Sequence, residues 1–274
     1  MIPLTVFVSL PSLIGDPRHL NPHMEALFTD ARTQLLAEQD QREQVIRGCR
    51  DITAAAKKLI FALHRSNSKQ VTEHKQAIGT QLEALYKVYN SSKYKGNVSG
   101  AFEELSEGLL FEYYLTHHDL MTYGQFCDEV TKMALEQAAL MFEFHNYFLG
   151  IYDLTGEVMR WCITAVAQGD VATAVTGWKF LQRLYNHMND TMSVYPKLNF
   201  YNGVLGEFHH KGLGLVLKKM EVFGQLLHKV QTTLCEYYVR GDEFAKDNGG
   251  DESGSLKRPL TEENETGPRK KLAT

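Results

Sequence analysis

Two pairs of acidic residues draw attention by type, spacing and setting. Glu104 and Glu107 fall in ELSEGLLFEYYL, and Asp153 and Glu157 fall in NYFLGIYDLTGEVMRWCITAV. On a helix, residues three apart are about 60° from one another and residues four apart about 40°, so each pair shares a face. The second setting is apolar, and a carboxylate drawn out of water there needs a counter-charge or a metal ion. Arg160, three residues after Glu157, offers an intrahelical ion pair. Gly156, between the two acids, weakens a helix but leaves room for an ion or a close backbone. Glu103, Glu104, Glu107 and Glu112 equally describe a solvated acidic face. If the two helices pack together, four carboxylates converge into an all-oxygen donor set suited to Mg²⁺ or Mn²⁺. Such an ion polarises a phosphodiester and acidifies a bound water. Spacing and setting leave ion pairing and an ion site both open.

Other chemistries find less support. Glu207 and His210 form one Glu-x-x-His pair with no second copy, whereas a di-iron bundle carries that motif twice. Neither G-x-S-x-G, a P-loop nor G-x-G-x-x-G occurs. Between Asp40 and Lys69, seven Lys and Arg face three acids, and Arg47, Arg50, Lys57 and Arg65 partly line one side of a helix. That stripe is either an ordinary solvated face or a contact for phosphates. Lys257 and Arg258, then ten residues, then Arg269, Lys270 and Lys271 fit a bipartite nuclear-import signal.

The elements that must carry these residues are helices. No proline interrupts residues 23 to 195, and strong helix formers fill them. Apolar positions such as Leu27, Leu35, Leu36, Val45, Ile46, Ile52, Leu59, Ile60 and Leu63 mark one long helix from Met24 to Arg65. Further helices are expected over 67–92, 100–118, 122–132, 136–167, 170–189 and 204–239, with the turn-prone SSKYKGNVSG between the second and third. Gly169 suits a C-cap and Asp170 the following N-cap. Strand signals are nearly absent, so the expected fold is all-α, a single-domain bundle of about seven helices over 23–242. An apolar N-terminal extension occupies 1–22, and 243–274 has the composition of a disordered tail. No stretch reaches the ~18 uninterrupted apolar residues of a membrane span. Cys49, Cys127, Cys162 and Cys235 lie far apart without a C-x-x-C pair, which fits a reducing compartment. The net charge of −4 gives no global reason to expect nucleic acid.

CRDITAAAKKLIFALHR at 49–65 and NYFLGIYDLTGEVMRWCITAVAQGD at 146–170 resemble the translin superfamily, on its translin-associated factor X (TRAX) branch. ELSEGLLFEYYL at 104–115 and VRG at 239–241 extend the resemblance over about residues 26 to 242. It implies a bundle of seven helices that co-assembles with translin into a hollow hetero-oligomer, expected to be octameric, an endoribonuclease that cuts single-stranded RNA with Mg²⁺, for which Mn²⁺ can substitute. It places the catalytic and metal-binding carboxylates on this chain, at Glu104, Glu107, Asp153 and Glu157, and implies residence in nucleus and cytoplasm. Three features depart from the pattern: the import-like signal is C-terminal, the loop before the Asp153 helix is short, and the apolar extension has no counterpart.

Overall fold

The structure, a computed structural model, describes residues 22–89, 91–134, 136–194 and 209–247. Eight helices make up its regular structure: α1 (Pro22–His64), α2 (Ser68–Val88), α3 (Ser91–His117), α4 (Tyr123–Met133), α5 (Glu136–Ala139), α6 (Phe144–Ala167), α7 (Val171–Val194) and α8 (His209–Asp247). No strand occurs among the described residues. The all-α expectation holds, and the described residues carry one helix beyond the seven expected, the single turn α5.

The bundle is built from α1 outward. Val45, Cys49, Ile52, Ala56, Leu59 and Leu63 alternate steps of four and three, which keeps one face of α1 turned inward. That face packs against α2 and α3. On its other side α3 meets α6, and α6 in turn meets α7. α6 is therefore central, with Leu149, Ile151, Tyr152, Leu154, Val158 and Cys162 buried. α8 joins through Phe223, whose ring meets Tyr185 of α7 edge-on at 5.3 Å.

Two compact units divide the chain. The first runs to Leu234, and the second begins at Cys235 and is described as the end of α8. Contacts in the first unit carry everything that follows.

Several boundaries differ from those expected. The stretch 91–100 is helical, because Tyr94 and Val98 are buried and the Tyr94 hydroxyl donates to Gln41 at 3.2 Å. Tertiary burial outweighs the poor helix propensity of Gly96, Asn97 and Gly100. The helix expected over 136–167 is broken before Phe144, where the Asn146 side-chain oxygen accepts the Glu143 amide at 3.0 Å and starts a new helix. α8 continues past Arg240 and Gly241 to Asp247, since one glycine costs a helix only about 1 kcal/mol. Leu27, Leu35 and Leu36, which look like core positions in the sequence, are exposed. The α6–α7 turn follows expectation: Gly169 takes φ +82°, and Asp170 accepts the Thr173 amide at 3.1 Å.

Candidate functional site

Gly150 decides where the acids go. A Cβ built there would lie 2.6 Å from the Ser106 Cβ, 3.1 Å from the Glu107 amide nitrogen and 3.2 Å from the Glu103 carbonyl. The backbone of α6 thus lies directly on α3 between Glu103 and Glu107. Asp153 and Glu157 stand three and seven residues beyond Gly150, on the same side of α6. The two acidic pairs therefore face one site. Gly156, to which the sequence assigns this spacing role, has nothing within 4 Å of its added Cβ.

Glu107 is the group most affected. Burial pushes its carboxyl up to about 8, and the negative charges of Asp153, Glu104 and Glu157 add to the rise, against partial relief from Lys219. Its side chain has no hydrogen bond or ion pair among the described residues. Glu104 is also raised, first by burial and then by Asp153 and Glu157, with Lys57 opposing. Glu103 is raised by burial, while the Ser99 hydroxyl donates to it at 2.9 Å.

The other acids each lean on a cation of the protein. Lys57 of α1 stands 3.7 Å from Glu104. Lys219 of α8 holds Asp153 at 2.5 Å. Glu157 is hydrogen-bonded to His64, the last residue of α1, and stands 3.5 Å from Arg160. Burial works against ionisation of Glu157, but His64 and Arg160 outweigh it and hold the carboxyl below its usual value. The His64 ring is itself set by Phe111 at 4.7 Å and Trp161 at 6.1 Å.

The intrahelical pair weighed from sequence, Glu157 with Arg160, is thus present but secondary to His64. His64 and Lys219 carry no local signal, since each reaches its acid from another helix. Lys57, singled out for phosphate contact, lies on the carboxylate site itself. Arg47 and Arg50 are exposed on α1, and Arg65 is exposed in the turn just past its end. Glu207 and the import-like residues Lys257, Arg258, Arg269, Lys270 and Lys271 lie outside the described residues, as does the N-terminal extension up to residue 21.

Among the described residues, no three His, Cys, Asp or Glu side chains stand close enough to hold a metal ion as they are. Carboxylates crowded without a counter-ion repel one another, and here each partnered acid turns toward its own cation. The donor set still suits a hard divalent ion. It is all oxygen, it carries excess negative charge, and Glu107 has no partner among the described residues.

Comparisons with known proteins agree with this architecture. The chain is 24% identical to mouse Translin-associated protein X over 261 residues, covering 85% of this chain and 84% of that protein. It is 26% identical over 180 residues to the Translin-associated protein X homolog of Schizosaccharomyces pombe, covering 61% and 74%. Among solved structures, apo-NeC3PO superposes with a TM-score of 0.57 at 15% identity, covering 80% of this chain and 98% of that one. AfC3PO in complex with duplex RNA gives 0.57 at 16%, covering 78% and 97%. These structures share the fold. A family model described as Translin matches residues 40–241, well over half of the sequence, and the chain belongs to the Translin family.

Proposed function

We propose that this chain is the catalytic subunit of a translin-containing endoribonuclease that hydrolyses phosphodiesters of single-stranded RNA with Mg²⁺. The observation that carries the reading is Glu107, a carboxylate with no hydrogen bond or ion pair among the described residues, brought by the α3–α6 crossing to where it feels the charge of Asp153. Membership of the Translin family supports a role in nucleic-acid chemistry. The relatives' name, Translin-associated protein X, supports translin as the partner, and the neighbour solved with duplex RNA supports RNA as the ligand. An octameric assembly is part of the proposal. No described helix is long and apolar enough to cross a membrane.

Glu104, Glu107, Asp153 and Glu157 would hold the ion. When bound, Mg²⁺, or Mn²⁺ in its place, supplies Lewis-acid polarisation of the phosphodiester and a more acidic water. Asp153 contributes charge that attracts the cation, Glu107 adds its own on losing its proton when the ion binds, and His64 keeps Glu157 ionised and oriented. Glu104, raised by burial, is suited to accept a proton from water, so it acts partly as general base. Lys57, 64% exposed beside Glu104, is placed to meet a phosphate, with Arg47 and Arg50 on α1 and Arg65 just past its end continuing the positive stripe.

The test is copurification with translin followed by cleavage of single-stranded RNA across a Mg²⁺ series. Glu107→Ala and Asp153→Ala are expected to abolish cleavage and leave co-assembly intact; full activity in both variants sinks the assignment. A second reading, a non-catalytic scaffold or nucleic-acid-binding subunit, is favoured by the ion pairs at Asp153 and Glu157. Crystals grown with Mn²⁺ separate the two, since density bridging α3 and α6 belongs only to the enzyme. Residence in both nucleus and cytoplasm, with import through residues 257–271, is proposed on sequence alone. An unchanged distribution after truncation at Gly250 would refute it.

A further inference from the structure

Phe61 is 46% exposed on a helix face that also carries Arg50, Lys57 and Lys58. One exposed phenylalanine is ordinary. Its position is less so. Lys57 and His64 are the two residues through which α1 touches the acids, one at Glu104 and the other at Glu157. Phe61 lies between them, four residues after the first and three before the second. On a helix that places it about 6 Å along the axis from Lys57 and about 4.5 Å from His64, turned roughly 40° to 60° outward. The ring therefore stands at the lip of the acidic site.

The ring also has a cation behind it. The Arg65 guanidinium lies 4.0 Å from its centroid, in the geometry of a cation–π contact. Exposed Arg47, Arg50, Lys57 and Lys58 precede it on α1 and exposed Arg65 follows in the turn after the helix, against the single exposed acid Asp51 on the same stretch. An aromatic face set among cations is what a nucleic-acid strand needs, since phosphates follow the charges and a base stacks on the ring.

We propose that Phe61, backed by Arg65, is a stacking subsite for one unpaired nucleobase of the RNA strand whose phosphodiester is presented to Glu104, Glu107, Asp153 and Glu157. This rests on the ribonuclease reading above and names how that site selects its substrate. A base within a duplex is already paired and stacked on both sides, so the platform favours a single strand over a duplex. Lys57, one turn before the ring, and Arg65, against the ring from just past the end of α1, meet the phosphates that flank the stacked base.

The experiment uses the full chain co-expressed with its translin partner, Ca²⁺ in place of Mg²⁺, and single-stranded RNAs carrying 2-aminopurine at successive positions. One position is expected to show a distinct change in fluorescence on binding. Phe61→Leu should remove that signal and weaken single-strand affinity roughly 10-fold, whereas Phe61→Trp should keep both. Mn²⁺ affinity without RNA, read by electron paramagnetic resonance, should be the same in all three proteins, as should duplex affinity.

A Phe61→Leu complex with wild-type affinity and an unaltered signal overturns the proposal. So does a Phe61→Leu chain that folds but no longer co-assembles, because the ring then belongs to a subunit interface. The two readings fail separately. If the wild-type complex does not cleave with Mg²⁺ but Phe61→Leu still loses the base signal, the subsite stands and the nuclease reading falls. If the wild type cleaves and Phe61→Leu behaves identically, only the subsite falls.

Discussion

Lys219, on α8, holds Asp153, on α6, across a 2.5 Å ion pair, and so places a positive charge of the protein among the carboxylates proposed to bind Mg²⁺. The lysine side chain is 17% exposed and the aspartate 36%, so the pair is neither fully buried nor freely solvated. Lys219 also relieves the charge crowding felt by Glu107 and Glu103. Replacing it with methionine keeps the aliphatic stem and removes the charge. In metal-free protein Lys219→Met should lose about 1–2 kcal/mol of stability, the scale of a partly screened pair. Its Mn²⁺ affinity should rise, because Asp153 no longer has to release a lysine. Denaturation in a chelator and Mn²⁺ titration measure the two effects. Unchanged stability together with weaker Mn²⁺ binding would show that the ammonium is not competing for the site.

The second prediction concerns pH. Burial and the neighbouring acids lift Glu107 to about 8 in the folded chain, above the ordinary carboxylate value of 4.5. The ionised form is therefore penalised by folding. That penalty is absent below about pH 4.5, grows through the interval, and is complete above pH 8. Metal-free protein should lose roughly 2–3 kcal/mol from this group as pH rises from 5 to 8, allowing for solvent screening. Glu107→Gln, which cannot ionise, should lose correspondingly less over the same range. A saturating divalent cation should flatten the wild-type curve but not alter that of the variant. Parallel curves for wild type and Glu107→Gln without metal would contradict the raised carboxyl.

Much of this site was legible in the sequence, and the reasons differ by residue. The acids were visible because helical spacing alone puts Glu104 with Glu107 and Asp153 with Glu157. Their meeting was not, because it depends on Gly150 admitting α3, and an isolated glycine in a helix announces no partner. Gly156 drew notice instead because it lies among the acids. His64 and Lys219 were invisible for the same long-range reason: each lies more than 60 residues from its acid. The helical class followed from composition and periodicity. The stretch 91–100 was misjudged because its local propensity, rich in Ser, Gly and Asn, points to a turn that burial of Tyr94 and Val98 overrides.

His64 supports a third prediction. Its bond to Glu157, with the charge of Arg160, keeps that carboxyl below its usual value against the effect of burial. A lowered folded value means stability that is present above about pH 4.5 and lost as pH falls through the lowered value. His64→Ala should forfeit about 1–3 kcal/mol near neutral pH, through the lost bond and the gap left beside Phe111 and Trp161. His64→Gln, which can still donate to Glu157, should recover part of it. Trp161 fluorescence offers a direct reading, because its ring centroid lies 6.1 Å from that of His64. A His64→Ala chain with unchanged stability and unchanged Glu157 titration by NMR would remove His64 from its positioning role.

The last prediction sets two glycines of one helix against each other. Alanine in place of glycine inside a helix ordinarily stabilises it by about 0.5–1 kcal/mol. Gly156→Ala should follow that rule, since its new methyl group meets nothing within 4 Å. Gly150→Ala should break it. Its methyl would stand 2.6 Å from the Ser106 Cβ and 3.1 Å from a backbone nitrogen of α3, so the two helices must separate. Overpacking of this kind costs about 1–3 kcal/mol. Because this crossing sets Glu107 and Asp153 on one site, Gly150→Ala should also weaken Mn²⁺ binding, and with it RNA cleavage, while Gly156→Ala leaves the metal affinity in place. Thermal denaturation and Mn²⁺ titration of the two variants decide the matter. A Gly150→Ala protein as stable and as tight for Mn²⁺ as Gly156→Ala would mean that the α3–α6 approach is not what assembles the carboxylates.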